Sequence, residues 1–218
     1  MFKNKIIRWS TLAMLLAILT YFFVETFQSN TASSAGTLNE NITAEEHTAE
    51  IELQRKQKDE LFRTSEESPI EEKATFHGLH YYEPSLAHRV VATLTPYEGA
   101  EKELKISYTD GTSDTYERLA YADFTVNGSA QRLLLLKNES VISVLFRDQT
   151  SGEETYGGGR YIDIPVEEMQ NNSLIIDFNK AYNPYCAYAP DFACPLPPAE
   201  NTLTVAIAAG EKYVEEKH

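Results

Sequence analysis

Both cysteines of the chain, Cys186 and Cys194, fall within the stretch YNPYCAYAPDFACPLPPAEN, which runs from Tyr182 to Asn201 and holds five of the nine prolines. Two thiols separated by seven residues can pair, bind a metal or exchange disulfides. A metal would need about two further ligands, and no histidine lies nearby in sequence. Thiol exchange favours a CxxC spacing, which is absent. A Cys186–Cys194 disulfide is the simplest expectation, and closing so small a loop is worth ~2–3 kcal/mol in the chain-entropy model. Two plain buried thiols are the remaining alternative, and no metal is expected.

A second group lies in DQTSGEETYGGGRYIDI, where three glycines precede Arg160. Glycines there let the backbone bend or approach a ligand closely. The pattern lacks the Lys-Ser/Thr and the helix of a phosphate loop. It reads either as a glycine bulge in an edge strand or as a presentation of Arg160, a planar fork of donors, to an anion. Tyr156 stands beside it. Asp177, Asn179, Asn183, Glu200 and Asn201 flank the proline-rich loop at both ends. Such side chains bond loop backbone that prolines leave unpaired. They could instead form an oxygen-rich cation site or a carboxylate pair for acid–base work, although their spacing fits no calcium loop. His77, His80 and His88 form a loose group before the first strand, and any chemistry there needs partners from far away in sequence. No GxSxG, HExxH or comparable nucleophile motif occurs.

The elements that must position these residues are mostly strands. From His80 onward the pattern has period two, broken by Asp110-Gly111 and Asn127-Gly128 turns. HRVVATLTPY, KELKISY, DTYERL, ADFTV, RLLLLK, VISVLFRD, RYIDIPV, SLIIDF and TLTVAIA read as short strands. They predict a mainly β, antiparallel sandwich or barrel-like domain over residues 43–213. One amphipathic helix over 43–64 precedes it, opened by Thr43 and Glu46 as a capping box and striped by Ala49, Leu53, Leu61 and Phe62. Residues 26–42 read as a tether and 214–218 as a polar tail.

The N-terminus has a different composition. Lys3, Lys5 and Arg8 are followed by no charge from Trp9 to Val24, a stretch of about 24 Å as a helix against a hydrocarbon core of about 30 Å. Residues 1–25 therefore read as a transmembrane anchor or a signal sequence. The anchor is favoured, with the N-terminus cytoplasmic and the domain outside; cleavage near residue 35 would make the domain secreted. The chain carries 19 basic and 33 acidic residues, a net charge of −14, with nearly all the acidity beyond residue 25. Such a domain repels phosphate backbones, so nucleic acid is excluded as a partner.

FRDQTSGEETYGGGRYIDI, IIDFNKAYNPYCAYAPDFACPLPPAENTL and AGEK resemble the bacterial and archaeal domain-of-unknown-function family 1684. The likeness covers roughly residues 45 to 213. The matching positions include Phe146, Asp148, Tyr156, Arg160, Asp177, Asn179, Asn183, Cys186, Cys194, Glu200, Asn201, Gly210, Glu211 and Lys212. Thr202 departs from the long residue usual after PPxEN. The family carries no activity to transfer. The expectation is a membrane-anchored extracytoplasmic binding or envelope-associated interaction module with no cofactor, contacting the membrane through residues 9–24 and an unidentified small molecule or protein. The alternative is a hydrolase whose site combines Arg160 with the 177–201 loop; the candidate pocket is Tyr156, Arg160, Asp177, Asn179, Asn183, Glu200 and Asn201.

Overall fold

The computed structural model describes residues 41–214. The expected anchor or signal segment 1–25, the tether through residue 40 and the tail beyond residue 214 lie outside those residues. Among the described residues no helix is long and apolar enough to cross a membrane. The expected single-pass membrane placement is therefore not supported by the described residues, whose one long helix, α1 (Ala44–Thr64), is rich in charged residues. Its start is fixed by the capping box, with the Glu46 amide donating to the Thr43 hydroxyl at 3.2 Å and the Thr43 amide donating to the Glu46 carboxylate at 3.0 Å.

Seven strands follow: β1 (Arg89–Pro96), β2 (Glu103–Ser107), β3 (Ser113–Val126), β4 (Ser129–Asn138), β5 (Val141–Phe146), β6 (Arg160–Pro165) and β7 (Ser173–Asp177). They form a single antiparallel sheet in the order β6-β5-β4-β3-β1-β7, with β2 also paired to β3. The sheet curls into a half-barrel, which removes the sandwich alternative. DTYERL and ADFTV are one strand, β3, broken in register by a bulge between Arg118 and Ala120. An extra residue of this kind sharpens local bend and twist. At the β3–β4 turn Asn127 and Gly128 both take positive φ, 51° and 74°. That is the geometry a two-residue hairpin needs. TLTVAIA forms no strand; it runs on from the proline-rich loop.

The core has two parts, and β4 belongs to both. Leu133 and Leu135 join the inner cluster with Ala92, Ala122, Phe124, Ile162, Ile176 and Phe178. Leu134 and Leu136 join an outer cluster with Ile106, Tyr116, Leu145 and Tyr161. RLLLLK lacks alternation because both of its faces are covered. The proline-rich loop supplies part of the outer cover. It is tied to the end of β2 by Leu196 N–H to the Ser107 carbonyl at 2.8 Å and Thr109 N–H to the Cys194 carbonyl at 3.0 Å, and to β6 by the Tyr161 hydroxyl on the Pro195 carbonyl.

Asn201 closes the join between β4 and β5. The ladder between these strands spans only Leu136–Asn138 against Val141–Ser143. Beyond it, the fully buried Asn201 side chain accepts from Leu134 N–H at 2.7 Å and donates to the carbonyls of Leu134 at 2.9 Å and Leu145 at 2.8 Å. Its amide does the work of a missing strand segment. Asn201→Ala leaves three buried backbone groups unpaired and lowers stability by about 2–5 kcal/mol. Asn201→Asp, which replaces the donor with an acceptor facing two carbonyls, is no better. Urea unfolding midpoints measure both; a loss below about 1 kcal/mol for either variant refutes the role.

Candidate functional site

Arg160 opens β6 after Gly159, whose φ is +101°. A Cβ at Gly159 would lie 2.6 Å from the Pro197 ring and 2.7 Å from the Phe146 carbonyl oxygen, so only glycine fits this close approach. The Arg160 side chain is fully buried and its guanidinium carbon lies 5.3 Å from the centroid of the Phe146 ring. One terminal nitrogen donates to Asp148 Oδ2 at 2.8 Å and to the Ile207 carbonyl at 2.9 Å. The other donates to the carbonyls of Ala209 and, at 3.3 Å, Glu211. The carboxylate that meets Arg160 is therefore Asp148; Asp177 and Glu200 bond elsewhere. Asp148 Oδ1 in turn accepts from the Thr150 amide at 2.7 Å, the Thr150 hydroxyl at 2.6 Å and the Ile207 amide at 3.3 Å.

The segment that Arg160 holds, residues 207–211, ends in Gly210-Glu211. Gly210 has φ +77°, and a Cβ there would lie 2.5 Å from the Ala181 carbonyl oxygen. Glu211 is 1% exposed and is met from three sides. Lys58 of α1 pairs with Oε1, while Asn183 N–H at 2.8 Å and the Tyr188 hydroxyl at 2.9 Å donate to Oε2. Asn183 also donates through Nδ2 to the Lys212 carbonyl at 3.0 Å.

Asp177 and Asn179 organise the other side. Asp177 Oδ2 meets His47 Nε2 at 2.7 Å, both groups being buried. Its Oδ1 accepts from the Asn179 amide at 3.0 Å and from Asn179 Nδ2 at 2.7 Å. Asn179 clamps Ser85, accepting from its N–H and donating to its carbonyl, each at 2.8 Å. Ser85 begins the short turn Leu86–His88, so Asp177 and Asn179 fix the turn that carries His88.

The buried face of α1 differs from the expected stripe. Leu53 and Leu61 are more than half exposed; His47, Ile51 and Phe62 are buried. His47 and Lys58 are eleven residues apart, about three helical turns, and so share the face that meets Asp177 and Glu211.

The expected disulfide is not present: Cys186 and Cys194 are free thiols. Cys194 Sγ accepts from the Cys186 backbone N–H at 3.2 Å. The loop is tied instead by its bonds to Ser107, Thr109 and Tyr161. Burial, ahead of any contact with Cys186, pushes the Cys194 thiol up to about 12. Tyr156 donates weakly to Cys186 Sγ at 3.9 Å, and burial moves its hydroxyl to about 12. Glu200 is exposed and accepts from the Tyr121 hydroxyl at 3.3 Å.

Among the buried side-chain polar atoms without a protein partner are His47 Nδ1, the Tyr82 hydroxyl, both ring nitrogens of His88 and Arg160 Nε. Burial first and Arg160 second hold the His88 pKa below its ordinary value, against the opposing charge of Asp177, so the imidazole is neutral at neutral pH. Tyr82 lies among Glu154, Arg160 and Asp148, and burial raises its hydroxyl to about 12. The nearby Glu154 carboxylate adds to that rise. Among the described residues no three His, Cys, Asp or Glu side chains are placed to hold a metal ion. What the arrangement offers is hydrogen bonding, with the charge of Arg160 already matched by Asp148.

The family model described as "Protein of unknown function (DUF1684)" matches residues 74–212. The chain belongs to this family. Outside the match lies the whole of α1, so the DUF1684 core receives His47 and Lys58 from an element that precedes it. A solution NMR structure of an uncharacterized protein from Haloarcula marismortui is similar, at 35% identity over 78% of this chain and 95% of that one, with a TM-score of 0.61. No curated protein matches. Sequence reading had missed His47, Lys58 and Tyr82 as parts of this arrangement; Asp148 and Glu211 were marked by the family likeness alone.

Two outcomes follow for the DUF1684 domain. Arg160→Met strands the buried Asp148 carboxylate and costs about 3–5 kcal/mol. Arg160→Lys recovers little, because one ammonium cannot serve four acceptors in a plane. A double-mutant cycle with Asp148→Asn in urea returns a coupling above about 1 kcal/mol; simple additivity refutes the pair. For Cys194, a folded pKa raised from 9.0 to about 12 means that the fold favours the protonated thiol. That contribution is complete below the unfolded value and is lost as pH climbs through the folded one. Melting temperatures from pH 8 to 11 therefore fall less steeply in Cys194→Ser than in the wild type. Rapid iodoacetamide labelling of native Cys194 at pH 8 contradicts the shift.

Proposed function

We propose that this DUF1684 domain is a binding module for a small molecule and does not turn over a substrate. The observation that carries the reading is the group of buried, unpaired hydrogen-bonding atoms at Tyr82, His88 and Arg160. Leaving a buried donor or acceptor unmet costs about 1–3 kcal/mol each. The charge of Arg160 acts on both the Tyr82 hydroxyl and the His88 ring, which supports reading the three as neighbours. The hydrolase alternative has weaker support. It needs a carboxylate free to act as acid or base, but Asp177 is bonded to His47 and Asn179, and Glu200 lies exposed beside Tyr121. The acidity of the chain, a net charge of −14, argues against nucleic acid as the partner.

A thermal-shift screen of neutral and charged metabolites tests the proposal. At least one compound stabilises the wild type in a saturable manner, and His88→Ala, folded by circular dichroism, loses that stabilisation. Turnover of an ester, amide or phosphoester panel by the wild type, abolished in His88→Ala, overturns it in favour of the hydrolase.

A further inference from the structure

We propose that Lys58 and Glu211 condense into an amide, an isopeptide cross-link that ties α1 to the C-terminal segment. The bond needs no ligand and stands apart from the binding reading. Among the described residues, Lys137–Glu117, Lys180–Glu50 and Lys212–Glu154 join side chains that are each at least 34% exposed. Lys58–Glu211 differs. The Glu211 side chain is 1% exposed, and Lys58, 23% exposed, holds its ammonium against Oε1. The same ammonium lies 4.6 Å from the centroid of the Tyr182 ring and 5.3 Å from that of Phe62. Arg160 and Asp148 are also buried together, but a delocalised guanidinium that keeps its charge is no nucleophile.

The other oxygen of Glu211 is already served as such a reaction requires. Oε2 accepts from Asn183 N–H at 2.8 Å and from the Tyr188 hydroxyl at 2.9 Å. Donors fixed at that place stabilise the negative charge that gathers on a carboxyl oxygen when a nucleophile attacks its carbon.

The steps balance without an outside reagent. One proton passes from the ammonium to Oε1 across the hydrogen bond between them, which cancels the charge that Glu211 carries in a buried position. The freed amine attacks Glu211 Cδ, and negative charge falls on Oε2 between its two donors. The nitrogen gives a second proton to the Oε1 hydroxyl, which leaves as water. Nζ keeps one hydrogen in the new amide. Between separate molecules in water such a condensation runs backward, but groups held in contact react at effective concentrations of about 10⁵–10⁸ M. The exposed part of Lys58 gives the water a way out, and the burial of Glu211 shields the finished bond from hydrolysis. The two residues are 153 positions apart, so the link closes most of the described chain into a ring that α1 cannot leave.

Mass spectrometry of the full-length protein tests the proposal. The wild type is one water lighter than its sequence, and trypsin yields a branched peptide in which Lys58, no longer cut, is joined to Glu211. Lys58→Arg keeps the ion pair and cannot make the amide; folded by circular dichroism, it has its full mass and gives linear peptides alone. Linear peptides alone from the wild type overturn the proposal. A water loss that persists in Lys58→Arg also overturns it, since it arises elsewhere, as when Asp110-Gly111 closes to a cyclic imide. In cell-free synthesis the linear chain of Tyr188→Phe converts about a hundredfold more slowly than the wild type, as the loss of one donor to the developing oxyanion requires. Conversion at an equal rate overturns the role of Tyr188.

Discussion

A guanidinium with no solvent exposure sits at the end of the half-barrel, and the fold has to be arranged around it. Taking a cation of this size out of water costs several kcal/mol unless its donors are met. Arg160 meets one carboxylate and three carbonyls, and the carbonyls belong to Ile207, Ala209 and Glu211. Those residues alternate, as the carbonyls along one edge of an extended chain do. One side chain thus stands in for a neighbouring strand along a segment whose backbone pairing is limited to an isolated bridge at Glu211 and single bonds to Tyr82 and Ala181. The end of β5, the start of β6 and the C-terminal segment all converge because the same fork bonds them.

Attachment of α1 follows from that convergence. Once the segment is in place, Glu211 is buried and needs a cation, which Lys58 supplies from the helix. His47 reaches Asp177 three turns earlier. Between and beside these pairs Ile51 and Phe62 fill the apolar contact, with Phe62 edge-on to Tyr185 at 5.6 Å and to Tyr188 at 5.8 Å. Buried polar and charged pairs of this kind add little net stability over a well-packed apolar contact. Their contribution is directional: they set how the helix is rotated and where along its axis it rests.

The strands were legible because turn chemistry and period two are local. Asn127-Gly128 marked its hairpin, and Thr43 with Glu46 marked the start of α1. DTYERL and ADFTV looked like two strands because a bulge at Leu119 interrupts the alternation in the middle of one. TLTVAIA looked like a strand because its composition suits one, but its backbone partners are the side chains of Gln131, Asp148 and Arg160 as much as any ladder. Arg160 stood out through its glycines, while Asp148 did not, since twelve residues and a turn separate the pair. The cysteines misled because their spacing permits a bond that the tethering of the loop does not use. His47 and Lys58 were hidden by their polarity: a helix normally presents apolar residues to a core, and here two of the inward positions are charged or ionisable.

The Leu133–Leu136 run in β4 has a consequence for how the sheet finds its alignment. In a strand with one wet face, sliding by a single residue puts the apolar side chains into water, and that penalty fixes the pairing. β4 has no wet face along this run, since leucines point into both clusters. A slide by one residue exchanges leucine for leucine, and hydrophobicity alone barely opposes it. Alignment must come from features that cannot translate: the positive-φ pair at Asn127-Gly128, which fixes where β3 ends and β4 begins, and the amide of Asn201, whose three bonds fit Leu134 and Leu145 at one offset only. The most oily strand of the molecule is thus told its place by two asparagines.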